Sequence, residues 1–261
     1  VRVPPNLPGW HGTPVKASLE TMTGLPVRCA NDANAVTLGE WLHGAGKGCR
    51  NLFCLTLGTG VGGGAVVEGR LLLGANHAAG ELGHSVIFGN GLECRCGGRG
   101  CVERYLGADY LVHRARQRVK AQIRRITSHR NQMAMFGGKG EGPSLLAEFV
   151  GRRSSGLTPR EIGRAARAKD KLALSVVEET GQYLGLGLVN VVTLLDPERI
   201  VVGGGVSGLG RPLLRAVKKT VESRVQLFSG RRLEIVSARL GNDAGIVGAS
   251  RLAGYLPAGL N

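Results

Sequence analysis

The segment Asn51–Leu72, NLFCLTLGTGVGGGAVVEGRLL, sets the reading of this chain. Two short apolar runs, NLFCLTLG and GGAVVEGRLL, flank a cluster of glycines. Runs of this length, rich in Leu, Val and Phe, read as buried strands. The turn between them holds Gly58, Thr59, Gly60, Gly62 and Gly63. Such a turn offers backbone N–H groups and a hydroxyl to an anion, although a glycine-rich hairpin also serves as plain structure.

The pattern recurs near the other end. DPERIVVGGGVSG reads as turn, strand and glycine turn, with Gly203, Gly204 and Gly205 just past the strand. Without side chains, these positions would let a nucleotide approach the backbone, or would simply make a tight bend. Between the two segments lie helical stretches. One opens at Thr158-Pro159-Arg160-Glu161 with Pro in the first turn, and LALSVVEETGQYLGLGLVNVVTLL carries small residues along one side. RPLLRAVKKTVESRVQ reads as a helix, LEIVSARL as a strand and AGIVGASRLAGYL as a terminal helix. Strands and helices mixed in this way, with glycine turns at strand ends, predict an α/β fold with ligand loops.

Upstream, LPVRCA reads as a strand, and Asn31-Asp32-Ala33-Asn34 caps a helix running to about His43. Asp32 is a candidate general base, with Asn31 beside it to orient a substrate. The plainer reading of Asp32 is an N-cap residue.

Three of the six cysteines fall within GHSVIFGNGLECRCGGRGCVERY: Cys94, Cys96 and Cys101, after His84 and before Glu103. One imidazole and three thiolates make a closed tetrahedral zinc site, so any zinc there would be structural, with free thiols as the alternative. Cys29, Cys49 and Cys54 are scattered and read as buried thiols.

The chain has 261 residues, 43 of them glycine, and a formal net charge of +15. Much of the surplus lies between Arg104 and Lys171, including Arg114, Arg116, Arg118, Lys120, Arg124 and Arg125. The segment reads as a solvated helix face. Nucleic acid is disfavoured, because aromatic residues for stacking are few. An anionic ligand such as polyphosphate is the other reading. SHRNQMAMFGGKGEGPS (128–144) reads as a mobile loop. No signal peptide or membrane-length apolar run is seen, so the expected setting is cytoplasmic.

Taken in order, NDANAVTLGE, LTLGTGVGGG, AGELGH, CRCGGRGCVE and DPERIVVGGGVS resemble the ROK family of bacterial sugar kinases and repressors, most of all its glucokinase-type members. The resemblance implies an actin-like, ribonuclease-H-like two-lobed fold. Residues 1–37, joined by a C-terminal helix at 243–261, would belong to the small lobe. The large lobe would be 38–242, with the zinc loop at 84–101.

The resemblance also implies MgATP-dependent phosphorylation of a hexose, glucose first, with Asp32 as base. Asn31, Glu81, His84 and Glu103 would bind the sugar. His84, Cys94, Cys96 and Cys101 would hold structural zinc. Gly58, Thr59, Gly60, Gly62 and Gly63 would cradle phosphates, and Gly203, Gly204 and Gly205 would lie by the adenosine. Members of the family are commonly dimers or tetramers.

The family's opening D-x-G-G-T-K motif is not in this sequence, which begins at Val1 and not at methionine, so the small lobe is expected to be incomplete. Two alternatives stay open: a sugar-responsive regulator without its DNA-binding domain, and an inactive sugar-binding fragment.

Overall fold

A computed structural model describes residues 9–133, 144–152, 157–225 and 232–255. Along the chain run α1 (Val15–Thr23), α2 (Asp32–His43), β1 (Leu52–Leu57), β2 (Val61–Val67), β3 (Arg70–Leu72), α3 (Glu103–Leu106) and α4 (Ala108–Met133). Then come α5 (Leu145–Arg152), α6 (Pro159–Arg167), α7 (Lys171–Leu195), β4 (Arg199–Gly203), α8 (Arg211–Arg224), β5 (Glu234–Ser237) and α9 (Ala244–Ala249).

The strands form one sheet in the order β3-β2-β1-β4-β5. β1 pairs antiparallel with β2 and parallel with β4, and β4 pairs parallel with β5. The two-residue period of a strand sends alternate side chains to opposite faces. Phe53, Leu55 and Leu57 of β1 enter the main core with Ile200 and Val202 of β4, under the α4–α8 layer. Leu52, Cys54 and Val201 enter a second core, against Val36 and Trp41 of α2. Helices therefore cover both faces, which is why these strands read as unbroken apolar runs.

The helical layer follows its sequence signals. Thr158 and Glu161 close a capping box around Pro159. Asp170 caps α7 by accepting the Ala173 N–H at 2.8 Å. The small face of α7 lets α8 approach closely, with Gly181 against Ala216 and Gly185 against Thr220.

The structure departs from the sequence reading in several places. LPVRCA is not a strand, since no described strand lies beside it to complete a ladder. GGAVVEGRLL is two strands, because Glu68 (φ 51°) and Gly69 (φ 75°) make a two-residue hairpin turn that pairs Val67 with Arg70. The expected terminal helix at 243–261 is only the six residues of α9, followed by a 3₁₀ turn at Leu252–Gly254; residues 256–261 lie outside the described ones. Of the expected loop at 128–144, residues 128–133 continue α4, and 134–143 lie outside the described residues.

The basic stretch is not all solvated face. Arg118 reaches Glu179 at 3.0 Å, and Arg114 donates to Thr180 Oγ1 at 2.9 Å, tying α4 to α7. Among the described residues, no helix is long and apolar enough to cross a membrane.

Candidate functional site

The site is organised on the first four residues of β2, Val61–Gly64. Helix α2 lies against them: a Cβ at Gly62 would sit 3.1 Å from the Ala33 Cβ, and one at Gly64 would collide with Thr37. That seat places the helix N-terminus, and with it Asn31 and Asp32, at the start of the strand. Asn31 is the N-cap, and its Oδ1 accepts the Ala33 N–H at 2.8 Å. Asp32 is the first helical residue, and its Oδ1 accepts the same N–H at 2.8 Å. Both side chains are exposed.

A second segment crosses the same stretch. Gly80, at φ 90°, packs on Gly63, where a Cβ would meet the Gly63 carbonyl oxygen at 2.7 Å. The following 3₁₀ turn, Leu82–His84, buries Leu82 and Gly83 and leaves Glu81 and His84 exposed on either side. A third segment arrives with α3, whose Glu103 accepts the Val61 N–H on Oε2 at 2.9 Å. Asn31, Asp32, Glu81, His84 and Glu103 are thus all carried by segments packed on one short stretch of strand.

The two glycine turns meet at the carboxyl ends of the neighbouring parallel strands β1 and β4, where open α/β sheets place ligands. Gly204, at φ 84°, lies so close to the Leu57 backbone that a Cβ would clash with it. Thr59 is exposed, and nothing stands within 4 Å of where a Cβ would project from Gly58 or Gly205. The 58–60 turn closes on itself through Gly58 N–H to Gly60 O at 2.9 Å. It is also tied to α4, whose Ala108 N–H donates to Gly58 O at 2.9 Å.

The cysteine loop brings its four donors together. One ligand atom each from His84, Cys94, Cys96 and Cys101 lies within 4.8 Å of all the others. Cys96 and Cys101 Sγ are 3.7 Å apart, and Cys94 Sγ is 3.9 Å from His84 Nδ1. Two sulfurs bound tetrahedrally at ~2.3 Å stand ~3.8 Å apart, so the donor set fits a zinc ion. Facing Cys94 with Nδ1 leaves the His84 Nε2 for another partner. The Gly98 backbone and Cys94 hold the exposed Cys96 thiol down at about 7, while burial pushes Cys101 up to about 12. The loop is closed by Cys94 N–H to Gly98 O at 2.8 Å and Ile87 N–H to Gly100 O at 2.9 Å. Cys49 and Cys54 are buried free thiols as expected, whereas Cys29 is exposed.

The sequence reading did not foresee the burial of two polar residues of α2, Glu40 and Asn34. Glu40 is fully buried, and its carboxylate gathers the N–H groups of Ala45, Arg239 and Leu240. Asn34 is 3% exposed, with its Oδ1 unpaired, facing Gly64. An acidic or amide residue on the inward face of a helix was the available signal.

Comparison with known proteins identifies the family. The profile of the family described as "ROK family" matches residues 1–255. The chain is 40% identical over 245 residues to the glucokinase of Halalkalibacterium halodurans, covering 94% of this chain and 68% of that enzyme. Among solved structures, the ROK family glucokinase from Streptomyces griseus in complex with glucose and AMPPNP superposes with a TM-score of 0.77 at 35% identity. That match covers 96% of this chain and 75% of the other. A ROK family transcriptional regulator, a homolog of the E. coli MLC protein, gives 0.75 at 29% identity, covering 90% and 54%. With the β3-β2-β1-β4-β5 sheet, these likenesses give the chain the actin-like fold of ROK sugar kinases.

Proposed function

The chain belongs to the ROK family, and on that premise we propose that this glucokinase-type hexokinase transfers the γ-phosphoryl group of MgATP to a hexose hydroxyl, with glucose as the acceptor. The observation that carries the reading is the shared hairpin. The exposed polar groups of the acceptor side and the open glycine turn of the donor side are built on the two ends of one β1–β2 connection.

Phosphoryl transfer asks a protein mainly for positioning and charge neutralisation. Asp32 is placed to take the proton of the attacking hydroxyl. It stands in the first turn of α2 with its side chain exposed, where a bound hydroxyl can reach it. Asn31 orients the same hydroxyl. Glu81, the Nε2 of His84 and the Oε1 of Glu103 hold the remaining sugar hydroxyls. The 58–60 turn receives the donor phosphates and Gly203–Gly205 the adenosine, while Gly62 and Gly63 belong to β2 and pack on Ala33 and Gly80. Mg²⁺ enters with the nucleotide and offsets the charge of its phosphates.

His84, Cys94, Cys96 and Cys101 would hold zinc, which would supply a structural anchor for the loop and take no part in the transfer. The protein's own part is to fix His84 from one side of the loop and Glu103 from the other. In the same reading, residues 1–37 and 243–261 belong to the small lobe and 38–242 to the large one. The Asp32 carboxylate and the glycine turn favour a kinase over a regulator.

The test is a product assay. The purified chain is incubated with MgATP or polyphosphate and, separately, glucose, mannose, fructose and N-acetylmannosamine. The expected result is a hexose monophosphate formed fastest from glucose and ATP. Product from none of the sugars with either donor would overturn the reading.

A further inference from the structure

Glu103 is assigned above to the sugar side, yet the one hydrogen bond of its side chain among the described residues points to the donor side. Its Oε2 accepts the Val61 N–H at 2.9 Å, and Val61 is the first residue after the 58–60 turn. The carboxylate is also the nearest neighbour of Gly60, where a Cβ would sit 2.5 Å from Oε2. The same segment grips the far end of the turn, through Ala108 N–H to Gly58 O at 2.9 Å. Between the two grips, Gly107 packs so closely on Thr59 that a Cβ there would sit 2.7 Å from its carbonyl oxygen. Glu103 itself follows two residues after Cys101 of the metal cluster.

From this geometry we propose that Glu103 is a positioning residue for the phosphoryl donor: it fixes the shape of the 58–61 turn from the cysteine loop. The proposal rests on the reading of that turn as the phosphate cradle. A turn presents its N–H groups to a phosphate only if its own backbone is held, and a three-residue connection rich in glycine is otherwise free to rearrange. A carboxylate accepting a backbone N–H supplies one of the stronger neutral-to-charged bonds available to it. One side chain would then face the acceptor with one oxygen and set the donor site with the other, so that the cysteine loop shapes both sites.

The test measures MgADP and glucose affinity separately, by calorimetry on the full chain, for the wild type, Glu103→Ala, Glu103→Gln and Gly60→Ala. With no sugar present, Glu103→Ala is expected to weaken MgADP about tenfold, the loss of one charge-assisted bond. Glu103→Gln keeps an oxygen for the Val61 N–H and should hold MgADP within about twofold of the wild type while still losing glucose affinity. A merely structural role would not separate the two ligands in this way.

Gly60→Ala should displace the carboxylate and mimic Glu103→Ala, adding nothing in the Glu103→Ala background. Wild-type MgADP binding that survives both Glu103→Ala and Gly60→Ala overturns the proposal and leaves the phosphate-cradle reading standing. A wild type that binds no MgADP overturns the cradle reading, and the proposal with it. Should Glu103→Ala fail to fold, Gly60→Ala decides: MgADP affinity equal to wild type overturns the proposal.

Discussion

In β1, Leu52, Phe53, Cys54, Leu55 and Leu57 are all buried, between helical layers on both faces. In the cysteine loop, residues 92–99 are exposed except for Cys94. The strand is held by apolar area removed from water, which is non-directional and tolerant of repacking. The loop has almost no such area; a few backbone bonds and four convergent donor atoms define its shape. The candidate site lies on the seam between the two regimes. Its Asp32 arm rests on the packed sheet, and its His84 and Glu103 arms depend on the loop. The two regions should therefore fail separately and under different insults.

The largest effect on stability should come from the packed region. Leu184 of α7 is fully buried, so Leu184→Ala should cost about 2–5 kcal/mol of global stability, measured by urea unfolding. Adding or removing zinc should leave that loss unchanged. Next is the loop itself. Cys101→Ser, or dialysis against a chelator, should lower bound zinc from about one equivalent to none. Amide exchange should then quicken across 86–101 while β1 and β4 stay protected. Equal loss of protection in sheet and loop would erase the contrast.

A smaller effect is expected at the α4–α7 contact. The Arg118–Glu179 pair is about one-third exposed at Arg118, so solvent screening limits Arg118→Met to about 0.5–1 kcal/mol, read from the same unfolding curves. The mildest test is chemical. An alkylating reagent at neutral pH should modify Cys29 quickly in the zinc-loaded protein, and Cys96 as well once zinc is stripped. Cys54, buried and pushed up to about 12, should stay unmodified until the protein unfolds. Mass spectrometry of the labelled peptides reads all three.

How much of this was legible in the sequence follows the same divide. The buried strands announced themselves, because a strand covered on both faces needs an apolar run and glycines where it turns. The convergence of His84 with Cys94, Cys96 and Cys101 was legible because thiols so closely spaced have few other uses. The rest depended on partners distant in sequence. LPVRCA has strand composition, but composition cannot supply a neighbouring ladder. Glu68 and Gly69 look like strand continuation until their positive φ values turn the chain. Glu40 lies on the inward face of its helix, but only the fold brings the Arg239 and Leu240 N–H groups to it, roughly 200 residues along. The bond from Glu103 to Val61 spans 42 residues, and nothing in either segment's pattern foretells it.

The central claim, that Asp32 is the base of a hexose kinase, is tested most directly by Asp32→Asn. Glucose-dependent ADP release and glucose affinity are measured side by side for wild type and variant. The account predicts a fall in turnover of about 10²–10⁴-fold, with glucose binding and melting temperature close to wild type. A variant that turns over glucose at the wild-type rate would contradict it.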